Sequence, residues 1–337
     1  MRPMKLVKRC TAACAGLLLA GSLLAGCGSV RGSSANLEYD AQAVCATYGD
    51  TEISAAEVSF YVRNMQSMYE QMYGGQTEGL WDMQVRDYVT LADAVKESAV
   101  NELYQTYVLA DKAEEMGLSL TDEQIAQAHE AADEFMETNE GAMLDAVGAE
   151  AEEYYEIFER NALAMLAYQS VVENVDTEVS DEEARHCLVK VMRLYDNAEG
   201  YNSEETKDAV MALLDGGSTT DEIAEQYAEQ ELSFTDYTIG SGDYANSFGD
   251  EALALQEGEY TAVYSEEDHI WYVVYCEEYM NEEATESGRD SVISIRRSDA
   301  FSEAYAEWRE DAPAITVNED VLASIDMSVA VGAVPEE

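Results

Sequence analysis

Basic residues are few in this chain: 18 Lys and Arg stand against 70 Asp and Glu in 337 residues, a formal charge of −52. A surface so acidic repels phosphate backbones and anionic headgroups, which excludes nucleic acid as a partner. The acidity reads instead as a solvated face that keeps the protein soluble. Histidine occurs only at His129, His186 and His269, and the six cysteines form no Cys-x-x-Cys. His186 and Cys187 are neighbours on a predicted strand, so their side chains leave opposite faces and cannot hold one ion. His269 and Cys276, on another strand, also point to opposite faces. Zinc needs three or four converging ligands, so no metal is expected. No Gly-x-Ser-x-Gly elbow precedes a helix, and no glycine-rich loop has phosphate-binding spacing, which removes the common hydrolase and nucleotide-binding classes. Long hydrophobic runs are missing as well. The segment Ala15 to Leu24 is too short to cross a bilayer core of ~30 Å as a helix.

What is present begins with a two-part N-terminus. Arg2, Lys5, Lys8 and Arg9 precede that apolar run, and no acid occurs before Glu38. This is the build of a signal peptide, residues 1–26. Its end, Leu24-Ala25-Gly26-Cys27, resembles a bacterial lipobox. The resemblance implies that Cys27 becomes the first mature residue and is acylated, its lipid chains holding the protein on the extracytoplasmic face of the bacterial cell membrane. A coincidental cysteine in an ordinary secreted protein is the alternative. Residues 27–40, with Gly28 to Asn36, read as a lipidated flexible tether. Cys10 and Cys14 leave with the signal. Cys45, Cys187 and Cys276 then form an odd, widely spaced set that reads as small buried hydrophobes.

The composition, 47% hydrophobic and 9% aromatic, suffices for folded cores. After a short hairpin at Val44–Ile53, residues 41–178 read as a helical domain. Ser54 and Glu57 form a capping box, and Thr121 with Gln124 another. The first helix carries Met65, Met68 and Met72 on one face; that face is either core or a soft, adaptable surface for unfolded chains. Residues 179–279 change texture: strand, two helices, short extended pieces, a small helix from Phe248 to Leu255, and two paired strands ending at Tyr275. Residues 280–327 read as an acidic linker and a helix with Phe301, Tyr305 and Trp308, followed by a tail, 328–337. The fold class is α+β.

Two histidines flanked by apolar residues stand on two strands of the smaller domain. They are either unrelated, partly buried groups or, if both face the core side of neighbouring strands, a hydrogen-bonded pair. Here the chain resembles a known family. "ARHCLVKV" is similar to the first strand of parvulin-type peptidyl-prolyl isomerases, whose pattern is His-Ile-Leu-Val. "GDYANSFGDEALAL" with the turn Glu257-Gly258-Glu259 resembles their Gly-Gln-Met, Phe, Ala-Leu and Gly-Glu stretch, and "DHIWYVVY" their last strand, Gly-Tyr-His-Ile-Ile. "ATYGDTEISAAEVSFYV" and "LADKAEEMGLSLTDEQI" resemble the helical chaperone domain of SurA and PrsA foldases, into which the parvulin-like part would be inserted.

The resemblance implies that His186 and His269 form the catalytic pair, with Gln230 where the family has a Cys or Asp and Glu229 beside it. It assigns Tyr244 and Phe248 to gripping the proline ring, with Tyr264 in place of a Thr at the rim. Glu267 and Asp268 replace the usual glycine and aromatic before His269, and Leu232–Tyr237 replaces a Gly-Gly-Asp-Leu-Gly loop. No cofactor is needed. The implied partners are unfolded or newly exported polypeptides with X–Pro bonds, and the implied activity is isomerase plus chaperone. A non-catalytic holdase with a degenerate site is a second reading. A surface or solute-binding lipoprotein is a third; it would show repeated βαβ texture, which is lacking.

Overall fold

The computed structural model describes residues 39–331 except 76, 140, 197–198 and 245–246. The expected signal peptide and the expected lipid anchor Cys27 lie outside the described residues. The chain forms two compact units, one from the residues up to Asn174 together with those from Ser298 onward, the other Val175–Arg297.

The first unit opens with the hairpin β1 (Val44–Tyr48) and β2 (Thr51–Ser54). Helix α1 (Ala55–Met72) follows, its start fixed by Ser54, whose hydroxyl accepts from the Glu57 N–H at 3.0 Å. The other half of the expected capping box is not made. The Glu57 carboxylate instead accepts from the Tyr107 hydroxyl at 3.1 and 3.2 Å and pairs with Arg160. A small hairpin of β3 (Gln84–Arg86) and β4 (Val89–Thr90) interrupts the stretch expected to be wholly helical. Then come α2 (Leu91–Glu115), α3 (Asp122–Thr138), α4 (Ala142–Val147) and α5 (Ala151–Val172). Thr121 and Gln124 make both halves of their capping box. Phe60 of α1 meets Phe135, Tyr154 and Phe158 edge-on with ring centroids 5.3, 6.1 and 5.9 Å apart, a geometry that suits aromatic quadrupoles.

The second unit is built on β5 (Cys187–Tyr195), α6 (Ser203–Asp215), α7 (Thr220–Gln226), β6 (Thr235–Ile239), α8 (Gly249–Ala254), β7 (Tyr260–Ser265) and β8 (Ile270–Glu278). Its four strands are all antiparallel, in the order β6-β5-β8-β7. Alternation divides the side chains between two cores. Val189, Val191, Tyr272 and Val274 face α8, whereas Met192, Leu194 and Val273 face α6 and α7. All three described cysteines are buried and free. Burial pushes the Cys45 thiol up to about 12 and the Cys276 thiol up to about 11, so they behave as apolar filler and not as nucleophiles.

Beyond Glu278 there is no long linker: α9 (Glu282–Asp311) is one continuous helix, its first half in the second unit and its second half in the first. The chain ends with β9 (Ile315–Val317), which pairs with β1, and α10 (Glu319–Ser324). Among the described residues no helix is long and apolar enough to cross a membrane.

Candidate functional site

The two histidines do not meet. Strands β5 and β8 pair over their length, from Leu188 opposite Glu278 to Tyr195 opposite Ile270. His186 precedes β5 and His269 precedes β8, so they flank opposite ends of the ladder, roughly 25–30 Å apart at ~3.3 Å per residue. Residues at the starts of two fully paired antiparallel strands are necessarily far apart. The expected imidazole pair is therefore corrected to two separate groups.

Each has its own place. The His186 ring lies between two glycines: a Cβ at Gly240 would come within 2.4 Å of it and one at Gly288 within 2.5 Å. Its Nδ1 donates to the Ala184 carbonyl at 2.8 Å, while its backbone binds Thr285 and Asn281. His186 closes the end of the sheet. His269 has φ +57°, the left-handed region where glycine is favoured, and its carbonyl accepts from the Asp196 N–H at 3.1 Å. It turns the chain into β8.

Tyr264 stands with His269, apart from Tyr244 and Phe248. Its ring lies 5.0 Å from Trp271, on the α6 side of the sheet, and its hydroxyl donates to Asp196 at 2.5 Å. The hydroxyls of Tyr264 and Ser203, with His269 nearby, hold the Asp196 carboxyl below its usual range. Glu229 and Gln230 sit exposed in a single 3₁₀ turn, Ala228–Gln230, whose neighbours Tyr227 and Leu232 pack on that same α6–α7 side.

Two pairs of the predicted residues do meet among the described residues: Tyr264 with His269, hydroxyl to Nδ1 at 3.4 Å, and, apart from them, Tyr244 with Phe248. The Tyr244 and Phe248 rings stack, 5.0 Å apart and 18° from parallel, with Phe248 at 1% exposure beneath and Tyr244 at 48% above. Tyr237 stands edge-on to both at 5.5 and 5.7 Å, and Tyr272 lies 4.9 Å from Phe248. Tyr272 is buried, and burial is the main cause that pushes its phenol up; its hydroxyl reaches Asp268 at 3.3 Å. The result is an aromatic shelf, with the expected proline socket closed by the Tyr244 ring. Sequence reasoning missed Tyr237 and Tyr272. The period of two along β8, running Ile270, Tyr272, Val274, Cys276, was the signal that puts Tyr272 on the Phe248 face.

The first unit carries a different feature. Six of the exposed large apolar side chains fall between residues 68 and 88 of the sequence: Met68, Met72, Tyr73, Met83, Val85 and Tyr88, the last at 95% exposure. Met65, by contrast, packs against the core. Trp81 ties the loop before β3 to α1, its ring 6.3 Å from Tyr69.

A family model described as the SurA-like N-terminal domain matches residues 5–174. None of the curated proteins matches the chain. Among solved structures, the peptidylprolyl isomerase PrsA from Bacillus cereus is similar at 18% identity and a TM-score of 0.41, over 70% of this chain and 93% of its own. The foldase protein PrsA from Lactococcus lactis is similar at 11% identity and a TM-score of 0.31, over 84% and 97%. One of two structurally related SurA-like chaperones of Campylobacter jejuni gives 10% identity and a TM-score of 0.28, over 82% and 99%.

Proposed function

Because the chain belongs to the family of the SurA-like N-terminal domain, we propose that it is a chaperone for newly exported, unfolded polypeptides, held at the outer face of the cell membrane through Cys27. The observation that carries this reading is the exposure of six large apolar side chains between Met68 and Tyr88 of a strongly acidic chain. Apolar side chains left in water along one short stretch offer what a surface for apolar client segments requires. Thioethers are polarizable and repack around varied partners, which suits a holder of many sequences.

A second reading, peptidyl-prolyl isomerase, is favoured by the Tyr244–Phe248 stack in the second unit. An X–Pro bond faces a barrier of ~18–20 kcal/mol and relaxes over tens of seconds or more unaided. Rotation breaks no bond, so a site accelerates it by binding the twisted amide better than the planar one. The proline ring would lie on the open face of Tyr244 with Tyr237 at its edge. With no imidazole pair on this shelf, the acceleration expected is modest, and holding is the principal activity.

Two assays on the full chain separate the readings. In the first, a client aggregates on dilution from denaturant; the parent protein suppresses this, and replacing Met68, Met72 and Tyr88 together by Ser weakens suppression several-fold. Unchanged suppression removes the methionine surface from the proposal, and absence of suppression by the parent removes the chaperone. In the second, a client limited by proline isomerisation refolds; an acceleration lost in Phe248→Ala supports the isomerase, whereas no acceleration by the parent leaves the holdase alone.

A further inference from the structure

Arg193 stands beside the aromatic shelf and is unlike most cations of this protein. Arg86, Lys112, Arg160, Arg185, Lys190, Lys207, Arg289 and Arg296 each pair with a carboxylate. Arg193 is exposed and makes no ion pair among the described residues; its guanidinium lies over the Tyr237 ring, 5.4 Å from the centroid, and donates to the Tyr237 hydroxyl oxygen. In the β5–β8 ladder it is directly opposite Tyr272, which puts the charge at the edge of the Phe248 face. Of the carboxylates next to shelf residues, Asp268 is satisfied by the Ser265 and Tyr272 hydroxyls at 3.1 and 3.3 Å, and Asp243, beside Tyr244, accepts from the Gly240 N–H at 2.9 Å.

We infer that Arg193 makes the shelf selective for segments in which an acidic side chain precedes the apolar ring, an Asp–Pro or Glu–Pro step. A guanidinium that bonds a phenol keeps N–H groups for a carboxylate, and a charge-assisted bond there is stronger than the neutral one it has. The Tyr237 oxygen accepts from Arg193, so its own O–H remains able to donate to the same anion. Held by the Tyr237 hydroxyl and the ring beside it, the guanidinium has less orientational freedom to lose on binding. The inference rests on the shelf being a peptide site, as proposed above.

The test is binding of short fluorescent peptides to the full chain: Ala-Glu-Pro-Phe, Ala-Gln-Pro-Phe, Ala-Lys-Pro-Phe and the proline-free Ala-Glu-Ala-Phe. The expected order is Glu–Pro over Gln–Pro by about three- to tenfold, the margin of one exposed charge-assisted contact, with Lys–Pro weakest and the margin narrowing as salt is raised. Arg193→Gln brings the Glu–Pro to Gln–Pro ratio to about one. Equal binding of Glu–Pro and Gln–Pro by the parent, a preference for Lys–Pro, or equal loss of both peptides in Arg193→Gln would overturn the inference while leaving the shelf as a site. Binding of no proline peptide, or binding indifferent to Tyr244→Ala, would remove the shelf itself and the selectivity with it.

Discussion

A single residue's meaning here depends on where its strand begins. His186 sits between Gly240 and Gly288 with its Nδ1 bonded, and His269 holds a left-handed turn. Replacing His186 by Ala leaves a gap and an orphaned Ala184 carbonyl, a cost of roughly 2–3 kcal/mol. Replacing His269 by Gly removes backbone strain and stabilises by roughly 0.5–1 kcal/mol after glycine's own entropy is counted. Thermal melts of the second unit should therefore move in opposite directions, down in His186→Ala and up by a few degrees in His269→Gly. Client refolding rates should be the same for His269→Gly as for the parent, since that ring meets Tyr264, on the side of the sheet away from Tyr244. A parallel loss of rate in both variants would restore the paired-imidazole picture. The residue identities were legible in the sequence but their meeting was not. Alternation tells which face a side chain takes, whereas the length and register of β5 against β8 decide how far apart two strand starts lie.

At the scale of elements, caps and breakers carried most of the legible information. Thr121 with Gln124 and Thr219 with Glu222 open α3 and α7 as their spacing implies, and the paired strands before Glu278 fall where alternation puts them. The hairpin of β3 and β4 was not legible, because its strands are two or three residues long and lack a buried face. Nor was the continuity of α9, whose acidic first turns read as linker although Arg289 and Arg296 pair there with Asp181 and Glu183. Within α2, Glu102 shows what burial does to a helix carboxylate: desolvation pushes it up to about 7. A carboxyl raised in the folded state destabilises that state once it must ionise. The penalty is absent below the ordinary value near 4.5, grows as pH rises towards 7 and is complete above it. Glu102→Gln should then raise the melting temperature of the first unit above pH 7 and change little near pH 4.5. The gain is at most roughly 3 kcal/mol for such a shift, and less for a group that keeps some contact with water. Melts across pH 4.5 to 8 check it, and a gain that is constant over that range would show that the carboxylate is not the cause.

For the whole molecule, the decisive feature is that the first unit is made from both ends of the described chain. Strand β9 completes its sheet against β1, and Ile315, Val317, Ile325, Met327 and Val331 are buried in the same core as Phe60 and Leu103. The last stretch is tied to α1 by a ladder of side chains one helical face apart. Arg63 donates to the Asp326 carbonyl at 2.7 Å, Gln66 to those of Met327 and Val329 at 3.0 and 2.8 Å, and Glu70 accepts from the Val331 N–H at 2.8 Å. Polar side chains buried this deeply stay satisfied only while that segment is in place. Each of the five buried apolar residues contributes roughly 1.5–3 kcal/mol, and together they match the 5–15 kcal/mol that usually separates a folded domain from its unfolded chain. A stop after Asp311 should accordingly leave the first unit unfolded. The second unit, Val175–Arg297, draws its cores from within itself and should keep its structure. Hydrogen exchange read peptide by peptide distinguishes the two: protection is expected to vanish in α1 and α2 and to persist in β5 and β8. Retained protection in α1 would mean that the returning segment only decorates the lobe. Suppression of client aggregation should disappear with α1, because the methionine surface has no framework once that helix melts.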